Sequence, residues 1–349
     1  MRRLTILIAV LAAAFGISTD VSAGPAVSFY TVDSIRAATM AGIDLSANDR
    51  FASADSIFAG LMDAYPDSPM GPLFRAGNIQ ARMIDAESDD DRESFLALVG
   101  EAERRGEALI ASRGTDAETE FALGVAAGYR AVHESRWGGW FAALKQGLRA
   151  KKHFQQALRI DSTLCDALLG LGTYLYWKSA KTDWINWLPL VPDSRRRGLD
   201  HLARASHCGV FARAAARAAL AGALINEERY NEAIAQADTL RQEYPQGKTA
   251  WWVMGRALLA MYDWDKAQSA FDSLETRIRA QGPGNYFNLI ECAYYRAQCH
   301  WGAGRYRAAQ SECGRALTYP ADDEVRKRQK GKLDELRRMQ KRLAKLLAK

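Results

Sequence analysis

The chain repeats itself at a fixed period. Ala233 opens "AIAQADTLRQEYP" and Ala267 opens "AQSAFDSLETR", 34 residues later. Twelve residues ahead of each stands another small residue, Ala221 and Gly255. Further along, Ala297 and Ala309 repeat the gap of twelve. In the other direction the second member of each pair becomes Gly198, Ala150, Ala102 and Ala54, at intervals of 48. Their partners are Gly172, Gly124, Gly77 and Gly42. The gap is twelve again for Gly42 and Ala54, but 25 or 26 for the three middle pairs. Two antiparallel helices cross closely only where each supplies a residue with almost no side chain. Large rings such as Trp251 and Phe271 then fill the space one turn away. An array with this self-similarity predicts stacked helical hairpins, each burying its apolar face on the next. Apolar residues recur at helical spacing throughout, and strict alternation is rare.

The spacing and residue types resemble the tetratricopeptide repeat, a helix–turn–helix unit of 34 residues. Trp251, Met254, Gly255, Ala267 and Phe271 match its pattern. Leu258 stands where the family favours Tyr, Leu274 replaces a later Ala, and the terminal Pro occurs only in the preceding unit, as Pro245. Gly106 stands where Phe is expected. The resemblance implies an all-α, right-handed superhelical solenoid of about seven hairpins over residues 28–320. Three hairpins carry inserts of about 13–14 residues between their helices, counted against the repeat template. It also implies a non-catalytic binding scaffold, with a concave groove for a peptide, protein segment or envelope component. A carrier of a small apolar ligand, associated with a periplasmic solute-uptake system, is the alternative.

The two ends differ from the body. Arg2 and Arg3 precede an apolar run over residues 4–17, then Val21, Ser22 and Ala23 give a small-x-small exit. This pattern predicts a secretory signal cleaved after Ala23. The run is shorter than the roughly 20 residues a spanning helix needs. The first cysteine is Cys165, so no lipid anchor is predicted near the new N-terminus. The mature chain is expected to be exported, periplasmic and soluble, with a repeat domain over 24–321 and a closing helix over 322–349. That last segment holds eleven Lys/Arg against five Asp/Glu, which matches the whole chain's net charge of +6. The body is near neutral, so no nucleic-acid partner is predicted. Val325, Leu333, Leu336, Met339, Leu343, Leu346 and Leu347 form a stripe that can cover the last hairpin. Its basic face is a solvated cap surface or a peripheral contact with an anionic envelope surface.

No constellation specifies catalysis. None of His133, His153, His201, His207 and His300 stands at metal-ligand spacing from cysteines or carboxylates, so neither a metal nor a cofactor is predicted. His153 and His201 occupy equivalent places in two repeats, which suggests a shared structural role. The acidic run 85–93 lacks the glycine and oxygen spacing of a calcium loop. It reads as a solvated loop whose Asp89, Asp90 and Asp91 cap the next helix. Arg195, Arg196 and Arg197 fall in a first helical turn, where cations are disfavoured. They either face water and neighbouring acids or build an anion site. The other two inserts, 134–147 and 181–193, are aromatic, with Trp137, Trp140, Trp184 and Trp187. They are read as hairpin loops that either pack together as a satellite core or bind a protein or peptide partner. With Gly172 facing Gly198, Cys165 comes opposite Ala205, one turn from Cys208; in the last hairpin Cys292 comes opposite Gly314, next to Cys313. Cys165–Cys208 and Cys292–Cys313 are therefore candidate disulfides, against the reading of all five cysteines as core residues.

Overall fold

A computed structural model describes residues 27–181 and 193–348. The expected signal segment, Trp184 and Trp187 lie outside the described residues. The described residues form sixteen helices and no strand. They are α1 (Asp33–Ala47), α2 (Phe51–Ala64), α3 (Met70–Ala86), α4 (Arg92–Arg113), α5 (Ala117–Trp137), α6 (Trp140–Ile160), α7 (Ala167–Lys181) and α8 (Arg195–Cys208). Then follow α9 (Arg213–Asn226), α10 (Tyr230–Glu243), α11 (Thr249–Ala260), α12 (Trp264–Ala280), α13 (Tyr286–Gly302), α14 (Tyr306–Thr318), α15 (Asp323–Arg328) and α16 (Lys330–Leu347). Successive pairs from α1–α2 to α13–α14 are seven antiparallel hairpins, each packed on the next. The architecture is a TPR-like helical solenoid.

Small residues make the hairpins possible by a repeated contact. A Cβ placed on Gly42 would lie 2.5 Å from the Phe58 ring, and one on Gly255 would lie 2.7 Å from the Phe271 ring. On Gly124 it would meet the Phe154 ring at 2.8 Å. Gly172 and Gly198 pack backbone to backbone. Beside Gly77 the missing phenylalanine is replaced from the next hairpin, because the Tyr129 ring occupies that space. Gly106 in turn admits Leu123.

The same register sets the turns. Asp49, Glu228, Tyr262 and Gly304 have φ of 60°, 57°, 61° and 73°. Each stands seven residues after the small residue of its first helix, and its left-handed backbone ends that helix. In the second and third hairpins the first helix runs on past this point. The expected inserts there are therefore mostly added helical turns rather than loops. α5 and α6 have 21 residues each, against 15 and 14 in α1 and α2. Residues 134–147, expected as a loop, are helical apart from the turn around Gly138 and Gly139.

The coil closes edge to edge. Its second turn rests on its first, through residues about 200 positions apart: Gln246 N–H donates to Asn48 Oδ1 at 3.1 Å, and Asn288 Nδ2 donates to the Asp85 carbonyl at 2.5 Å. Gly247 allows this approach, since a Cβ there would lie 2.3 Å from the Ala47 carbonyl oxygen. Lys248 sits in the seam, 1% exposed. Its Nζ meets Asp85 at 2.8 Å and Asp49 at 3.4 Å, and also donates to Gln281. Arg328 reaches Glu87 across the same seam.

The closing segment is two helices, not one. Leu333, Leu336 and Leu343 of α16 are buried on the last hairpin, while Leu346 and Leu347 remain exposed. Val325 lies on the separate short helix α15.

Lys248 neutralises two buried acids, so Lys248→Met leaves them uncompensated. Urea unfolding should show a loss of about 3–5 kcal/mol, as for other broken buried pairs. Burial raises the Asp49 carboxyl to about 6, against the opposing pull of Lys248. The folded state therefore binds a proton there that the unfolded state lacks between pH 4 and 6, approximately, and this group's contribution to stability falls as pH rises through that window. Asp49→Asn should remove that slope from the stability–pH curve.

Candidate functional site

The inner face of the coil is filled by the start of the described chain. Phe29 is fully buried, between Tyr65 at 5.7 Å and Phe74 at 6.2 Å between ring centroids. Its N–H donates to Glu118 at 2.9 Å. Tyr30 lies 4.7 Å from Phe211 and 6.2 Å from Phe121. Burial, then the nearby Asp166 carboxylate, push the Tyr30 hydroxyl well above its ordinary pKa. Asp166 is itself held by the N–H groups of Phe211 and Ala212, at 3.0 and 2.7 Å. Phe74 and Phe211 touch across the interior, 5.2 Å apart. At this level the interior is an aromatic core joining several hairpins.

The outer surface is more open. The added turns of α5 and α6, about seven residues each, lengthen that hairpin by roughly 10 Å relative to its shorter counterparts. At its tip Trp137 packs on the His133 ring at 5.4 Å, and is partly buried. Trp140 is 48% exposed and Phe141 is 84% exposed. Phe141, Lys145, Leu148 and Lys152 continue as an exposed stripe along α6. Beneath the tip, His133 Nε2 meets Asp89 at 2.8 Å, and Asp91 pairs with Arg82. The acidic run thus ties two hairpins together; no side-chain cap bond forms at Asp91, the residue just before α4.

The three consecutive arginines divide between two clefts. Arg195 pairs with Asp193 at 2.7 Å and approaches Glu227 at 3.9 Å. Hydrogen bonding from Arg195 holds the Asp193 carboxyl below its usual range. Arg196 is exposed and shares that cleft with Asp200 and Arg229. Arg197 lines a second cleft, across α6, α7 and α8, with Arg159, His201 and Arg204. Neither ring nitrogen of His201 has a hydrogen-bond partner. Burial, then the charges of Arg197 and Arg204, lower its pKa. The shared structural role expected for His153 and His201 does not hold, because His153 Nδ1 pairs with Glu120 at 2.7 Å.

Cys165 and Cys208 are joined, with Cα atoms 5.7 Å apart, which ties the start of α7 to the end of α8. Cys292 and Cys313, the other candidate pair, are separate buried thiols, as is Cys299. Cys313 is fully buried in the core of the last hairpin, where it replaces a ring. Its thiol is pushed up to about 11 by burial. Among the described residues, no group of three or more His, Cys, Asp or Glu could hold a metal ion. No helix among them is long and apolar enough to cross a membrane.

No family model and no curated protein sequence matches the chain. Among solved structures, it is similar to the C-terminal part of a TPR repeat-containing protein from Cytophaga hutchinsonii, at 15% identity and a TM-score of 0.44. That match covers 82% of this chain and 97% of the other. The P58(IPK) TPR domain is also similar, at 15% identity and a TM-score of 0.26, over 88% of this chain and 98% of that one. The TPR-like assignment stands on the hairpin geometry described above.

Phe29 should be as important to the fold as any core ring. Phe29→Ala is expected to cost about 3–5 kcal/mol in chemical denaturation, as other buried Phe truncations do. It should also raise protease sensitivity after residue 32.

Proposed function

We propose that this chain is an exported, non-catalytic binding scaffold of the cell envelope that engages a protein partner with its outer surface. The reading rests on one observation: Trp140 and Phe141 stand exposed at the tip of a lengthened hairpin. A large aromatic side chain in water is a cost that burial in a partner would remove. Trp140 and Phe141 are adjacent, and Lys145, Leu148 and Lys152 continue from them along one helix. The aromatic pair with charged residues beside it matches the apolar centre and polar rim of a protein interface. The concave groove suggested by the repeat resemblance is filled at the level of Phe29 and Tyr30, which favours the outside. The arginines at 195 and 196 and the partly buried Trp137 form the flank of this surface in the proposal. The basic helix α16 adds a second outer face for an anionic envelope surface. Export rests on the signal pattern ending at Ala23. The carrier reading has no observation behind it: one described cleft is lined mostly by charged side chains, and the other sets three arginines around its apolar floor.

The test is comparative capture. Mature wild-type protein and Trp140→Ser/Phe141→Ser would be immobilised and exposed to envelope extract from the native host. The double variant should keep its melting temperature within a few degrees, because these side chains are not in the core. It should lose a partner that the wild type retains through washing. Identical partner sets for both proteins would refute the outer-tip reading. Intact mass of the native protein checks export separately, by the loss of residues 1–23.

A further inference from the structure

The internal repeat offers its own control for the cleft across α6, α7 and α8. The third and fourth hairpins superpose in sequence at a shift of 48 residues, so Arg149 corresponds to Arg197 and His153 to His201. Around the third hairpin both basic side chains are satisfied by acids of the second and third hairpins. Arg149 pairs with Glu103 at 2.7 Å and Glu107 at 3.5 Å, and His153 pairs with Glu120 at 2.7 Å. At the same shift, Glu103 becomes Lys151, Glu107 becomes Gln155 and Glu120 becomes Leu168. One repeat later Arg197 and His201 are kept and all three acids are gone. Gln155, Leu168, Arg197 and His201 line one cleft, as the correspondence requires. Arg159 and Arg204 add two further cations to it, and none of the three arginines forms an ion pair among the described residues.

We infer that this cleft is a binding site for an acidic, amphipathic peptide segment of a partner protein. The carboxylates of the segment would take the places that Glu107 and Glu120 hold one hairpin earlier. Three features favour a peptide over a small inorganic anion. The missing groups are carboxylates presented by helices. Arg197, His201 and Arg204 are spread along about 10 Å of helix at 1.5 Å per residue, rather than converging on one point. The floor is apolar, with Leu158, Leu168 and Leu171, which suits leucine-like side chains between the acids. Guanidinium groups hold carboxylates by paired, charge-assisted hydrogen bonds, so the arginines carry the binding. The Cys165–Cys208 bond fixes α8 over α7 and keeps this wall in place. The inference concerns a different surface from the aromatic tip and stands independently of it.

The probe is a synthetic helical peptide with glutamates at positions i, i+4 and i+7 and leucines on the adjoining face. Its binding to the mature wild-type protein would be measured by fluorescence anisotropy at low and moderate salt. Binding should weaken at least tenfold in Arg197→Gln/Arg204→Gln, and should fall with added salt. A peptide with Gln for every Glu should not bind. The sharper variant is Gln155→Glu, an exposed change that restores the acid found one repeat earlier as Glu107. It should pair with Arg197 and weaken the peptide several-fold without lowering the melting temperature. Absence of binding by the wild type, or binding unchanged in both variants, would overturn the site. Tighter arginine-dependent binding of inorganic polyphosphate than of the peptide would overturn the peptide assignment.

Discussion

The close crossing of two helices at a residue without a side chain is the contact on which the rest depends. Gly42 against Phe58 and Gly255 against Phe271 are the same contact, made at opposite ends of the chain. The ring fills the space that the glycine vacates, so each hairpin has one favoured spacing and crossing. Seven residues beyond the small residue, a left-handed turn residue ends the first helix of the short hairpins. Where that turn is absent the helices lengthen, and the outer tip with Trp140 and Phe141 is a consequence. The surface proposed for binding therefore arises from the same register that builds the core.

Stacked hairpins contact only their neighbours, and a solenoid is ordinarily open along its length. This one has two long-range ties. The seam around Lys248 joins the first two hairpins to the fifth, sixth and seventh, with its charges desolvated and paired. The strap of Phe29 and Tyr30 joins the early hairpins from the inside. Both make the coil behave more like a globular core than a chain of independent units, so unfolding should be more cooperative than in a simple array. Rigidity of that kind suits a scaffold, because a surface held in one shape loses less entropy on binding.

Charge is distributed by the same logic. Many arginines of the repeat body pair with acids of their own or an adjoining helix, as the network of Glu275, Glu312, Arg296 and Arg315 does. The cluster of Arg159, Arg197 and Arg204 departs from this pattern, and the departure is visible only when the third and fourth hairpins are compared. A cluster of cations unpaired among the described residues repels itself, and the carboxylates of the inferred segment would relieve that repulsion.

The sequence alone determined the local order. The 34- and 48-residue periods located every hairpin, because close helix crossing demands small residues at fixed positions and leaves a mark in any sequence that uses it. It also placed Cys165 near Cys208, since the register of one hairpin is a local quantity. It misread residues 134–147 as a loop: aromatic residues beside Gly138 and Gly139 carry no sign of whether the helix ends before or after them. It did not foresee the seam, the strap or the split of the three arginines. The first two depend on the curvature accumulated over roughly 200 residues, which brings Lys248 to Asp49 and Phe211 to Tyr30. Curvature is a sum of small rotations between hairpins, and no single residue encodes it. Only the folded coil decided which face is filled, which is exposed, and which cations are without acids among the described residues.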